Sequence, residues 1–146
     1  MRWQESLCYK SNFMSTIKYL IDTIPTATAI IDLYRNAGLN RPINDVARIE
    51  AMYEHSNLVV TAWLDGELVG VSRALTDFNY CCYLSDLAVK LEHQQLGIGK
   101  ELIRITKETI GKQTMLLLLS APNAMDYYPK VGFDKVINGF RIPREF

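Results

Sequence analysis

The chain has little with which to hold a metal ion or build a disulfide framework: two histidines and three cysteines, Cys8, Cys81 and Cys82, in 146 residues. Their spacing matches no zinc-ligand pattern, and the thiols suit a reducing cytoplasm. Cys81 and Cys82 are adjacent in a strand-like run and point to opposite faces, so packing is their expected role. Net charge is also missing. Lys plus Arg and Asp plus Glu number 16 each, so no overall basic field draws in nucleic acid or an anionic membrane. No apolar run approaches the roughly 18 residues of a membrane span, and the start of the chain lacks a signal peptide's apolar centre. These absences predict a cytoplasmic protein with no metal, nucleic-acid or membrane partner.

A composition of 49% hydrophobic and 22% charged residues is that of a globule with a real core, and the length suits one domain. Met14-Ser15-Thr16 directly precedes the first strand-like run. Residues 1–13 are therefore expected to be an N-terminal extension, disordered or upstream of the true start, and residues 14–146 the single domain. An ordered arm is the rival reading of 1–13.

Ile17 to Ile21 reads as a short strand. A helix then starts near Pro25, carries Ile30, Leu33, Tyr34 and Ala37 at helical spacing, and ends at Gly38. Asn44 is the expected cap of a second helix with Val46, Ile49, Met52 and Tyr53 on one side. Leu58 to Leu64 and Leu68 to Leu75 are strand-like around Asp65-Gly66, a two-residue hairpin signal, and Asp77-Phe78-Asn79 turns the chain into a third strand, Tyr80 to Val89. A helix from Gly97 to Gly111 leads to the all-apolar Thr114 to Ser120, which predicts a strand parallel to Tyr80–Val89 and covered on both faces. A last helix over Pro122 to Lys130 and a terminal pair of strands, Phe133 to Ile137 and Phe140 to Pro143, complete the prediction. The terminal strands offer an edge to a second subunit, although Pro143 and Arg144 also read as edge protection; a homodimer is left open.

The passage from Leu87-Ala88-Val89 into Gln94-Gln95-Leu96-Gly97-Ile98-Gly99-Lys100 carries the most chemistry. A strand ends, Gly-x-Gly turns the chain, and a helix begins with the N–H groups of Gly97, Ile98, Gly99 and Lys100 aimed outward. Such a donor array, backed by the helix dipole, is a phosphate cradle, and glycine admits oxygens that a Cβ would hold away.

The element order, this Gln-x-x-Gly-x-Gly turn and a second motif, Ala124-Met125-Asp126-Tyr127-Tyr128-Pro129-Lys130-Val131-Gly132-Phe133, together resemble the GNAT superfamily of acetyl-CoA-dependent N-acetyltransferases from Thr16 to the end. The resemblance implies an α/β (α+β by some schemes) GNAT-like fold: a mixed, mostly antiparallel central sheet, helices on both faces, and a splayed parallel strand pair that holds CoA. It implies acetyl-CoA as acetyl donor, with the pyrophosphate on Gln94, Gln95, Leu96, Gly97, Ile98, Gly99 and Lys100. The pantetheine arm would pair with the backbone of Leu87, Ala88 and Val89 like an added strand.

By the same resemblance Tyr128 is the acid beside the thioester sulfur, and its ordinary pKa of about 10 keeps a proton available at neutral pH. Tyr127 is expected in the core. Strict alternation would put Tyr83, Ser85, Leu87 and Val89 on one face and Leu84, Asp86 and Ala88 on the other. Ser85 is a candidate for a water relay. Asp86 is either a relay base or a structural carboxylate, and His93 is expected as an exposed imidazole. Ala121 stands where many members carry an asparagine that bonds pantetheine, and Gln94 replaces the more frequent arginine. Tyr34, Arg41, Asp77 and Tyr83 are the expected substrate contacts. The implied reaction is direct attack by a primary amine of a small molecule or a protein; the alternative is a noncatalytic acyl-CoA-binding or regulatory domain.

Overall fold

The computed structural model describes residues 4–10 and 13–146. Its elements are β1 (Gln4–Lys10), β2 (Phe13–Ile21), α1 (Ala27–Ala37), α2 (Val46–Glu54), β3 (Leu58–Leu64), β4 (Glu67–Thr76), β5 (Cys81–Val89), α3 (Ile98–Ile110) and β6 (Met115–Leu117), with 3-10 turns at Leu91–His93, Pro122–Ala124 and Tyr128–Val131. The six strands form one sheet in chain order, antiparallel except for the parallel pair β5–β6. Ile98, Leu102, Ile105 and Ile110 of α3 pack with Ile17, Val60, Leu84 and their neighbours on one face. On the other, Ile30, Leu33 and Tyr34 of α1 and Ile49 and Tyr53 of α2 pack with Val59, Val71 and Ala88. The mixed, mostly antiparallel sheet with helices on both faces is the predicted architecture.

Local chemistry explains the element ends. Thr26 caps α1 by accepting from the Ala29 N–H, and Gly38 closes it at φ 69°, a left-handed conformation glycine adopts without strain. Asp65 and Gly66 both have positive φ, 49° and 81°, as the tight β3–β4 hairpin requires. The cap of α2 is Asp45 rather than Asn44: its Oδ1 accepts from the Arg48 N–H three residues on, at 3.0 Å.

Five further expectations need correction. The first strand is longer than Ile17–Ile21, and Gln4–Lys10 pairs with it, from Gln4 opposite Tyr19 to Lys10 opposite Phe13. Residues 1–3 and 11–12 of the expected extension lie outside the described residues. The helix over Pro122–Lys130 is replaced by two 3-10 turns, since Pro129 has no N–H for the Met125 carbonyl and its ring would collide with it. Thr114–Ser120 pairs only over Met115–Leu117, and Met115 and Leu119 are exposed rather than covered. The terminal strands are absent: residues 133–146 pair with no described strand.

The fifth correction bears on the site. Arg73 pairs with Asp86 but the next residue, Ala74, pairs with Leu84, so Ser85 is an extra residue in β5. This bulge reverses the alternation. Leu84 joins Leu87 and Val89 on the α3 face, whereas Asp86 and Ala88 face α1 and α2.

Candidate active site

Past the pairing of Tyr83 with Leu117, β5 runs on to Val89 with no strand beside it on that edge among the described residues. That edge of Leu87, Ala88 and Val89 thus has no strand on it, although the Val89 carbonyl accepts from Gln94. In front of it the turn into α3 is shaped as expected: Gln95 and Gly97 are left-handed, at φ 72° and 78°, and Gly97 caps the helix. Its carbonyl accepts from Glu101, which leaves the N–H groups of Ile98, Gly99 and Lys100 without an intrahelical acceptor. The buried Ile98 side chain pins this first turn to the core, while Gln95, Leu96 and Lys100 point to solvent. Gln94 donates its side-chain amide to the Val89 carbonyl at 3.1 Å, fixing the loop to the end of β5. His93 is buried, not exposed as expected, because the Leu91–His93 turn folds it inward.

A residue expected only to pack closes the turn from above. A Cβ on Gly99 would lie 2.7 Å from the Tyr127 hydroxyl, so the aromatic body of Tyr127 meets the core while its oxygen reaches the start of α3. Tyr127 stands edge-on to Tyr128, which stands edge-on to Phe133. Burial, then the neighbouring Tyr127, pushes the Tyr128 hydroxyl above its ordinary pKa, against an opposing influence of the Arg41 charge. Tyr128 therefore keeps its proton throughout the neutral range.

On the α1–α2 side of β5 a polar network is built round Asp86. Its Oδ2 accepts from Arg73 Nε at 2.5 Å and from the Tyr34 hydroxyl at 2.7 Å; its Oδ1 accepts from Arg41 Nε at 2.5 Å. The Tyr34 and Tyr53 hydroxyls are 2.6 Å apart. Arg73 also donates to the hydroxyls of Ser85 and Ser56, and its guanidinium lies over the Tyr53 ring. Burial acts to raise the Asp86 pKa, but the Arg73 hydrogen bond and charge, followed by the Arg41 charge, outweigh it and hold the carboxyl below its usual range. Burial likewise raises Tyr34 and Tyr53, which stay protonated donors.

Asp86 is thus engaged on both oxygens, as a structural carboxylate would be. Tyr34 is fully buried, and Arg41 gives its three nitrogens to Asp86, the Asn40 carbonyl and the Ser85 carbonyl. Asp77 accepts from the N–H groups of Asn79, Tyr80 and Cys81 through one oxygen, which lowers its pKa to about 2 and makes it the clasp of the β4–β5 turn. Of the expected substrate contacts, Asp77 and Tyr83 both reach solvent, Tyr83 beside the open end of β6. Arg73, which the motif reading passed over, is central here. Its signal was a lone arginine between apolar residues in a strand whose neighbours are inside.

The model of the acetyltransferase (GNAT) domain matches residues 32–141. The chain belongs to the GNAT acetyltransferases. Acetyl-CoA is the acetyl donor of this family, and the left-handed turn before α3, with the unpaired edge of β5 behind it, has the shape and donors that a pyrophosphate and an amide-bearing arm need. No curated protein matches the chain. Among solved structures, a probable acetyltransferase from meticillin-resistant Staphylococcus aureus is 22% identical, covering 88% of this chain and 99% of its own, with a TM-score of 0.75. An aminoglycoside N-acetyltransferase in complex with CoA is 15% identical over 94% and 100% of the two chains, at a TM-score of 0.70. An aminoglycoside acetyltransferase from an uncultured soil metagenomic sample, in complex with sisomicin, is 20% identical over 88% and 97%, at 0.65. At these identities the likeness is one of fold. No described helix of this GNAT chain is long and apolar enough to cross a membrane.

Proposed function

We propose that this chain transfers the acetyl group of acetyl-CoA to a primary amine by direct attack. The observation that carries the reading is the pairing of an open β5 edge with a left-handed Gly97 turn at the start of α3. A small-molecule amine is favoured over a protein amino group, since two fold neighbours are aminoglycoside acetyltransferases.

In this reading Gly97, Ile98, Gly99 and Lys100 hold the pyrophosphate through their N–H groups, with Gln95 and Leu96 shaping the turn. Gln94 keeps the Val89 end of β5 in place. Leu87, Ala88 and Val89 align the pantetheine arm. An alkylammonium, with a pKa of about 10.4, must lose a proton before it can attack. Water beside the partly exposed Tyr83 and Ser85 takes that proton, since Asp86 is committed to its arginines. Tyr128 then gives its hydroxyl proton to the departing thiolate. Arg41 and Tyr34 serve the acceptor side by fixing the α1–α2 connection against β5, and Asp77 by fixing the turn that ends beside Tyr83.

The test is a panel of amines, polyamines included, incubated with acetyl-CoA while thiol release is followed. Amine-dependent release is expected; binding of CoA with no turnover on any amine would instead make this a noncatalytic acyl-CoA-binding domain. Gly99→Glu should abolish CoA binding by calorimetry while leaving the circular dichroism spectrum intact, because it sets a carboxylate where phosphates belong and forces Tyr127 aside. Unchanged affinity would remove the turn from the site. Residues 14–146 are read as the functional domain, and the family match lies wholly inside them. A chain starting at Met14 should bind CoA with unaltered affinity, and a loss of binding would make residues 1–13 an integral arm.

A further inference from the structure

The polar network under β5 carries an unbalanced charge. Asp86 supplies its one negative charge, and two guanidinium groups hold the carboxylate, through Arg73 Nε on Oδ2 and Arg41 Nε on Oδ1. Tyr34 and Tyr53 add nothing, since burial keeps them protonated. One positive charge is left over. Arg73 is buried and neutralises Asp86, so the surplus comes to the surface at Arg41, whose side chain is about a quarter exposed. Arg41 also stands where an acceptor would arrive. Its Nη2 donates to the Ser85 carbonyl at 2.6 Å, just past the Tyr83–Leu117 pair where β5 and β6 part. After burial and Tyr127, its charge is the next influence on the Tyr128 hydroxyl. Three of its five N–H groups go to Asp86, the Asn40 carbonyl and the Ser85 carbonyl, which leaves two with no acceptor among the described residues. The other acids nearby are held elsewhere: Asp32 pairs with Arg35, Glu92 accepts from the Asn36 amide beside Lys90, and Asp77 clasps the turn at the far end of β5.

We propose that the acceptor is an amine that also carries a carboxylate, which Arg41 receives while the amine lies beside Tyr83 and Ser85. This rests on the acetyl-transfer reading and names the substrate class within it. A planar guanidinium with two N–H groups to spare matches a carboxylate, and in a half-buried site the contact is stronger than it would be in water. The same charge works against a diamine or polyamine, whose second ammonium group would meet its like. Selectivity for the acceptor is thus set by Arg41, with Arg73 acting through Asp86 to keep that charge unspent.

Thiol release from acetyl-CoA is followed with α-amino acids of aliphatic and aromatic side chain, β-alanine and γ-aminobutyrate. Each is run beside its carboxamide and a diamine of similar length, with rates referred to the free amine. At the best spacing the carboxylate should exceed its carboxamide in kcat/KM at least about tenfold, as a charge-assisted contact gives, and the diamine should fall below the carboxamide. Arg41→Gln should raise KM for the carboxylate about tenfold and leave KM for the carboxamide within about twofold, with Arg41→Lys recovering part of the loss. Carboxamides or diamines that match the carboxylates in the wild type would overturn the proposal and leave acetyl transfer standing, and this comparison holds even if Arg41→Gln does not fold. Equal rises in KM for both acceptors would also overturn it, making Arg41 only a brace of the α1–α2 connection. Binding of CoA with no amine of any class acetylated would bring down the acetyl-transfer reading and this proposal together.

Discussion

Asp86→Ala is expected to destabilise the protein by about 3–5 kcal/mol, the loss seen when one member of a buried ion pair is removed. Arg73 is the reason. It is buried, and without Asp86 its charge keeps only the hydroxyls of Ser85 and Ser56 and one carbonyl. Arg41 suffers less, being about a quarter exposed and able to turn to water. The pair as a whole should matter far less than either member. Asp86→Leu combined with Arg73→Met ought to recover most of the deficit, since apolar side chains of similar volume often replace a buried pair at no net loss. Urea melts of the single and double variants check this, and equal losses in both would mean that the ion pair itself is strongly stabilising.

Acid provides an independent test. The Asp86 pKa is depressed in the folded protein, so its contribution is present above the unfolded value of about 3.9 and is lost as pH falls through the lower folded value. The stability gap between wild type and Asp86→Ala should therefore be full at pH 7 and narrow as pH drops below about 4. A gap that stays constant across that range would show that Asp86 acts by packing alone.

Tyr128→Phe, under the proposed role, should lower kcat by about 10²-fold, the lower end of what a positioned acid contributes, with CoA affinity unchanged. The lower end applies because a thiolate is a fair leaving group, its conjugate thiol having a pKa of about 8.5. That value also sets the pH dependence. Below it the departing sulfur gains from a proton, while above it the thiolate leaves without one, so the gap between Tyr128→Phe and wild type should shrink in alkali. The Tyr128 hydroxyl itself is raised above its ordinary pKa and stays a donor through this range. Thiol release measured from pH 6.5 to 10 decides the matter, and equal rates throughout would remove Tyr128 from the chemistry.

Much of this was legible in the residues because it depends on local chemistry. Asp65-Gly66 demands a hairpin wherever it sits, Gly38 and Gly97 occupy left-handed positions, and an apolar strand reached through a helix has to run parallel to the one before it. The left-handed turn before α3 follows on the same grounds, whereas the role proposed for Tyr128 comes from the resemblance of its motif to the family's. What was not legible depends on partners distant in sequence. The arginines that claim Asp86 come from residues 41 and 73, and no spacing rule connects them. The reach of the Tyr127 hydroxyl to Gly99 is set by how the tail folds over α3. Asp77 resembled a surface attractant for an amine because its three acceptor contacts exist only once the turn has closed. The tail reads as strand because of its apolar residues, although it pairs with no described strand.

The extra residue at Ser85 makes the site sensitive to length rather than to composition. With that residue in place Leu84 serves the core under α3 and Asp86 serves the network under α1 and α2. Deleting Ser85 would remove the carbonyl and hydroxyl that accept from Arg41 and Arg73, and it would also restore strict alternation and send either residues 81–84 or residues 86–89 to the wrong side of the sheet. This stretch of β5 should accept many substitutions and no insertions or deletions, so a library of single-codon deletions ought to show a sharp minimum in folded yield there.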